Sequence, residues 1–166
     1  LRPPPGGRTD MLSQDVTVIL PEIMLAIWAM IALMAGAYGP GDKLASALTW
    51  ATAGVLAVLG LISGFGVGEA TAFNGGFVFD GFSRFAKVVI LFGAAIMLIL
   101  SDGYMRRHDL AKFEYPVLIA LATLGMMVMV SAGDLMVLYM GLELQSLALY
   151  VIAAFRRDSL RSTEAG

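Results

Sequence analysis

The sequence predicts an all-α integral membrane protein with about five transmembrane helices, and three observations carry that reading. Hydrophobic residues make up 58% of the chain and charged residues only 14%, against roughly 25% charge in a soluble domain. Mean hydropathy is +0.81. The apolar residues fall into five stretches, each long enough to cross roughly 30 Å of hydrocarbon as a helix. Lipid is the solvent that such a surface needs.

The first sixteen residues (1–16) read as a flexible tail, because Arg2-Pro-Pro-Pro5-Gly-Gly-Arg8 cannot be a helix interior. Leu1 is an unusual first residue, and Met11 is an alternative start. The spans are expected at about 17–37, 43–65, 79–100, 114–132 and 134–155. The first is read as a retained span and not a cleaved leader: its apolar run is long, Pro21 and Glu22 interrupt its start, and Asp10 and Asp15 offset Arg2 and Arg8. Tyr38-Gly-Pro-Gly-Asp-Lys43 is a turn, and Gly64 to Gly76 is a glycine-rich loop. Ser101 to Lys112 is a charged link, and Gly133-Asp134 is a short link whose acid suits a helix start. Residues 156–166 read as a cytoplasmic link to a sixth helix that this chain lacks, with a possible helix start at Ser162-Thr-Glu-Ala.

Composition also excludes. A net charge of -2 argues against a nucleic-acid partner. With no cysteine and a single histidine, His108, there is no thiolate or histidine metal site and no cysteine-held iron–sulfur cluster. Lys and Arg cluster in alternate links, with Lys43, Arg106, Arg107, Lys112, Arg156, Arg157 and Arg161 on one side. Arg2 and Arg8 lie on the other, joined by Arg84 and Lys87 if these snorkel back. The first set is expected to face the cytoplasm, which places the N-terminus outside.

Glu143 is the candidate functional residue. It lies nine residues past Asp134, about 14 Å into the fifth span and near its middle. A carboxylate at that depth costs a few kcal/mol, so it is expected to face the bundle interior. Tyr139, Glu143, Ser146 and Tyr150 share one helical stripe that can hold water or bond a neighbour. A buried glutamate beside a titrating partner can take up and release a proton. The plainer alternative is an interhelical hydrogen bond.

The other polar residues read more plainly. Gln145 points away from that stripe, with Gly141 and Leu138, as interhelical glue, and Gly141 allows close approach. Glu22 after Pro21 is an ordinary first-turn acid. Asp80, Arg84 and Lys87, among Phe77, Phe79, Phe82 and Phe85, form an interfacial anchor, with Lys87 a lesser candidate for an internal polar path. Gly64-Phe-Gly-Val-Gly68 lacks the rest of a phosphate loop. Gly60-x-x-x-Gly64 is a weak packing signal, and the eleven methionines are filler or lipid-facing.

The run Asp134-Leu-Met-Val-Leu-Tyr-Met-Gly-Leu-Glu143-Leu-Gln-Ser-Leu-Ala-Leu-Tyr150, with Ser162-Thr-Glu-Ala-Gly166 beyond it, resembles the subunit N family of bacterial proton-pumping NADH:quinone oxidoreductase (respiratory complex I; mitochondrial subunit 2-like). Leu20-Pro-Glu-Ile23 and Phe79-Asp-Gly-Phe-Ser83 fit the same resemblance, which runs from about Val16 to the end. It implies the N-terminal part of a roughly fourteen-helix antiporter-like subunit in the bacterial inner membrane. Glu143 would be a proton-transfer and coupling group facing a lysine on a later helix. The partners implied are the other membrane-arm subunits of complex I and membrane lipid. The resemblance implies no cofactor in this subunit; NAD, FMN, iron–sulfur clusters and quinone would be bound elsewhere in the complex. A chain ending at Gly166 lacks the lysines and would not pump alone. A cation/proton antiporter or membrane-bound hydrogenase subunit, and a non-catalytic membrane scaffold, are the rival readings.

Overall fold

A computed structural model of the chain describes residues 16–39, 44–65, 69–107 and 112–154. The expected tail, the 40–43 turn, His108 and the link at 156–166 lie outside these. Five helices are described: α1 (Leu20–Tyr38), α2 (Ala45–Phe65), α3 (Gly81–Arg107), α4 (Glu114–Val130) and α5 (Leu135–Ala153). By length and composition α1, α2, α3 and α5 can each cross a membrane, and α4 is a shorter apolar helix.

The central position belongs to α4, which packs on α1, α2, α3 and α5. That explains its composition. A helix covered on all sides needs no polar face, and beyond Glu114 and Tyr115 in its first turn this helix is apolar around its circumference apart from Thr123, whose hydroxyl is donated to the Ile119 carbonyl one turn back at 2.7 Å. The core it organises includes the fully buried Leu25, Leu56, Leu91, Leu98 and Met127. Trp28 on α1 donates its indole N–H to Thr52 Oγ1 of α2 at 3.1 Å, which fixes those two helices in depth. The Gly60-x-x-x-Gly64 face of α2 does pack: a Cβ at Gly60 would sit 3.0 Å from the Phe92 ring, and one at Gly64 would sit 3.4 Å from Val88.

Two elements differ from the sequence expectation. Helix α3 continues through Arg107 rather than ending near residue 100. The polar residues there cap no helix end. They extend it beyond the hydrocarbon, since 27 residues make about 40 Å at 1.5 Å each. The stretch from the glycine-rich loop to the start of α3 forms an antiparallel hairpin, β1 (Ala70–Ala72) and β2 (Phe77–Phe79), closed by a 3₁₀ turn at Phe73–Gly75. Gly75, at φ +90°, supplies the left-handed residue that the reversal requires.

The hairpin is stitched to the α4–α5 corner. Val78 donates to the Ser131 carbonyl at 2.7 Å, Gly133 donates to the Gly76 carbonyl at 2.9 Å, and Phe77 bridges to Ala132. Asp134 is the N-cap of α5, accepting the Val137 amide at 2.7 Å, as its sequence position suggested. The hairpin and this corner therefore close one end of the bundle.

Candidate functional site: charged groups inside the membrane helices

The most buried charges lie on α1 and α3. Lys87 Nζ is 2.7 Å from Glu22 Oε1, with side-chain exposures of 0% and 7%. Glu22 is the third residue of α1 and Lys87 the seventh of α3, so both lie within about two turns of the hairpin end. The reach of the lysine stem joins two helices that α2 and α4 otherwise hold together. Phe77 and Phe79 present their rings to Nζ at 4.9 and 5.2 Å, a geometry worth about 0.5–2 kcal/mol per ring. Beyond the ion-pair contact, Nζ and both Glu22 oxygens have no hydrogen-bond partner among the described residues.

This corrects two sequence readings. Lys87 does not snorkel to the interface; it points inward and is fully buried. Glu22 does sit in a first helical turn, but its carboxylate is spent on Lys87. Sequence gave a faint signal, since both groups lie at matching depth from one membrane side. Nothing in the one-dimensional spacing paired them. Phe82 and Phe85 of that cluster are exposed. Asp80 serves as a cap: its carboxylate accepts the Ser83 amide at 2.7 Å, while its own amide donates to Ser83 Oγ at 2.9 Å. This reciprocal box opens α3, and the Ser83 amide and hydroxyl hold the Asp80 carboxyl below its ordinary range.

Glu143 is the ninth of the 19 residues of α5, at mid-helix as expected. Among the described residues, its face of α5 is not the one packed on α4. Helix α5 packs on α4 through the buried Gly141 and Ala148, and a Cβ at Gly125 of α4 would lie 2.7 Å from the Gly141 carbonyl and the Gln145 amide. That backbone-to-backbone approach fixes the rotation of α5. At 100° per residue, Glu143 lies about 200° from Gly141, on the face turned away from α4. The reason is steric: the two glycines offer the closest approach, and the carboxylate stripe is left on the opposite side. Tyr139 and Tyr150 on that stripe are 60% and 58% exposed, while Glu143 and Ser146 are half-buried. Tyr139 precedes Glu143 by one helical turn on this stripe. Gln145 lies on the α4 side beside Gly125, as its spacing indicated. Among the described residues no group of His, Asp and Glu is placed to hold a metal.

Long apolar helices around a buried ion pair, with one further carboxylate at mid-span, define a multi-pass α-helical membrane protein. Its last described helix falls within the match of residues 132–166 to the family described as "NADH:quinone oxidoreductase/Mrp antiporter, TM". The chain is related along nearly its whole length to NADH-quinone oxidoreductase subunit N. It is 56% identical to that of Rhodobacter capsulatus over 94% of this chain and 33% of the relative. Identity is 55% with that of Jannaschia sp., over 94% of this chain and 32% of the relative. With that of Maricaulis maris it is 52%, over 95% and 33%. The chain thus spans about a third of the length of the curated relatives it matches.

Proposed function

We propose that this chain is part of a membrane-arm subunit of a proton-translocating NADH:quinone oxidoreductase, and that Glu143 is a proton-transfer and coupling group in it. The observation that carries the reading is Glu143 itself. It is a carboxylate at mid-helix, one turn from Tyr139, inside the segment shared with the NADH:quinone oxidoreductase/antiporter membrane family. A charge at that depth costs about 2.5–3.5 kcal/mol on insertion scales, so it calls for a covering helix and a basic partner. A lysine on another helix of the subunit fits that need: its approach and withdrawal would bias the carboxylate between charged and neutral forms.

On this reading the subunit carries no redox group of its own. NAD, FMN, iron–sulfur clusters and quinone belong to other parts of the complex, and the other membrane-arm subunits are its neighbours. The membrane is the bacterial inner membrane, with the N-terminus and the hairpin on the non-cytoplasmic side, as the Lys and Arg distribution favours.

The test is Glu143→Gln in the assembled complex in sealed vesicles. NADH-driven proton uptake should fall by about an order of magnitude or more while the complex still assembles. Undiminished uptake would rule out the proton-transfer role. Loss of assembly would make Glu143 a structural hydrogen-bonding strut.

A further inference from the structure

A cavity of about 370 Å³ opens beside the hairpin and is lined by Thr17, Pro21, Ile62, Ser63, Ala70 and Phe79, among others. Three features tie it to the ion pair. Pro21 immediately precedes Glu22. Phe79, in its wall, holds its ring 5.2 Å from Lys87 Nζ. Ser63 is only 3% exposed, yet its hydroxyl has no hydrogen-bond partner among the described residues, like Nζ and both Glu22 oxygens. An unpartnered buried hydroxyl costs about 1–3 kcal/mol, and unpaired faces of a buried ion pair cost more. Water satisfies such groups where a site is polar and roomy enough, and this cavity is many times the volume of one molecule.

We propose that this cavity is a water-filled vestibule on the hairpin face that ends at Ser63 and hydrates the Glu22–Lys87 pair from that side only. Water there would complete the hydrogen bonding of Ser63 Oγ, Glu22 Oε2 and Lys87 Nζ. The pair then senses the solution on one face of the membrane and is sealed from the other by the apolar core around Leu56, Leu91 and Leu98.

These 166 residues hold no cysteine, so a labelled peptide from this stretch reports the introduced residue alone. In the full-length protein in its native membrane, Ser63→Cys is treated with a small water-soluble methanethiosulfonate from either side. Labelling of this chain is read by mass spectrometry. Thr17→Cys at the mouth serves as the open control, and Ala53→Cys, buried on the same helix, as the dry one. Because the thiolate forms in water and not in an apolar wall, Ser63→Cys should react at least about tenfold faster than Ala53→Cys, and only from the hairpin side. If Ser63→Cys fails to accumulate, Ala70→Cys in the same wall takes its place.

Charge selectivity then tests contact with the pair. Lys87→Met leaves the carboxylate alone and should favour a cationic over an anionic reagent by about tenfold. Glu22→Gln should reverse that preference. An inert cysteine in the cavity wall means a dry or lipid-filled cavity and overturns the proposal. So does reaction from both sides, or a rate indifferent to both charge variants.

Discussion

Lys87 meets Glu22 across the α1–α3 boundary, Nζ to Oε1 at 2.7 Å, at a depth where neither side chain reaches the surface. Removing one partner strands a buried charge, which costs about 3–5 kcal/mol. Lys87→Met and Glu22→Gln are each expected to destabilise the protein on that scale. The double variant should recover most of the loss, since no charge is left behind. Unfolding in mixed micelles, followed by the fluorescence of the two tryptophans, measures this. Losses in the double variant that simply add would show that the pair does not act as a unit.

Gly125 and Gly141 let α4 and α5 touch backbone to backbone. A Cβ at Gly125 would stand 2.7 Å from main-chain atoms, which cannot swing aside as a flexible side chain can. Gly125→Leu should force the helices apart and cost about 1–3 kcal/mol. Crosslinking between cysteines placed on the two helices should weaken accordingly. On the proposed role of Glu143, the same substitution in the assembled complex should reduce proton transport, because it displaces the helix that carries Glu143.

The capping box at the start of α3 gives a pH dependence of known sign. Hydrogen bonds from Ser83 lower the Asp80 carboxyl in the folded protein. Its contribution is therefore complete above the ordinary carboxylate value of about 3.9. It is lost as the pH falls through the depressed native value. Amide exchange in the first turn of α3 should speed up over that acid range. Asp80→Asn keeps a capping oxygen and should remove the pH dependence while leaving exchange at neutral pH nearly unchanged.

Tyr139→Phe deletes the phenol one turn from Glu143 and leaves the helix intact. On the proposed role of Glu143, proton transport in the complex should fall by a smaller factor than for Glu143→Gln, with its pH profile displaced. A profile unchanged in both height and position would mean that Tyr139 does not act on the carboxylate.

What was legible in the sequence was what hydropathy and helical periodicity encode. The five apolar segments, the short Gly133-Asp134 link, the cap at Asp134 and the glycine contact at Gly141 can each be read within one stretch of chain. The Glu22–Lys87 pair could not, because each residue has an ordinary local explanation, a first-turn acid and an interfacial lysine. Only the packing order of the helices brings them together. The hairpin was hidden for a similar reason: its strands are three residues each and depend on pairing with each other and with the α4–α5 corner. The stripe through Glu143 could be drawn from the sequence, but how it sits against α4 could not. Periodicity says which residues share a face, and the Gly125–Gly141 approach on a second helix decides where that face points.

The hairpin couples two parts of the molecule that share no side chain. Its backbone is bonded at Ser131 and Gly133 to the corner from which α5 departs, and its aromatic rings rest on Lys87. It therefore ties the corner before the helix bearing Glu143 to the aromatic wall of the Glu22–Lys87 pair. Those two main-chain hydrogen bonds make the position of the Phe77 ring depend on where α5 begins, and not on the packed core between them.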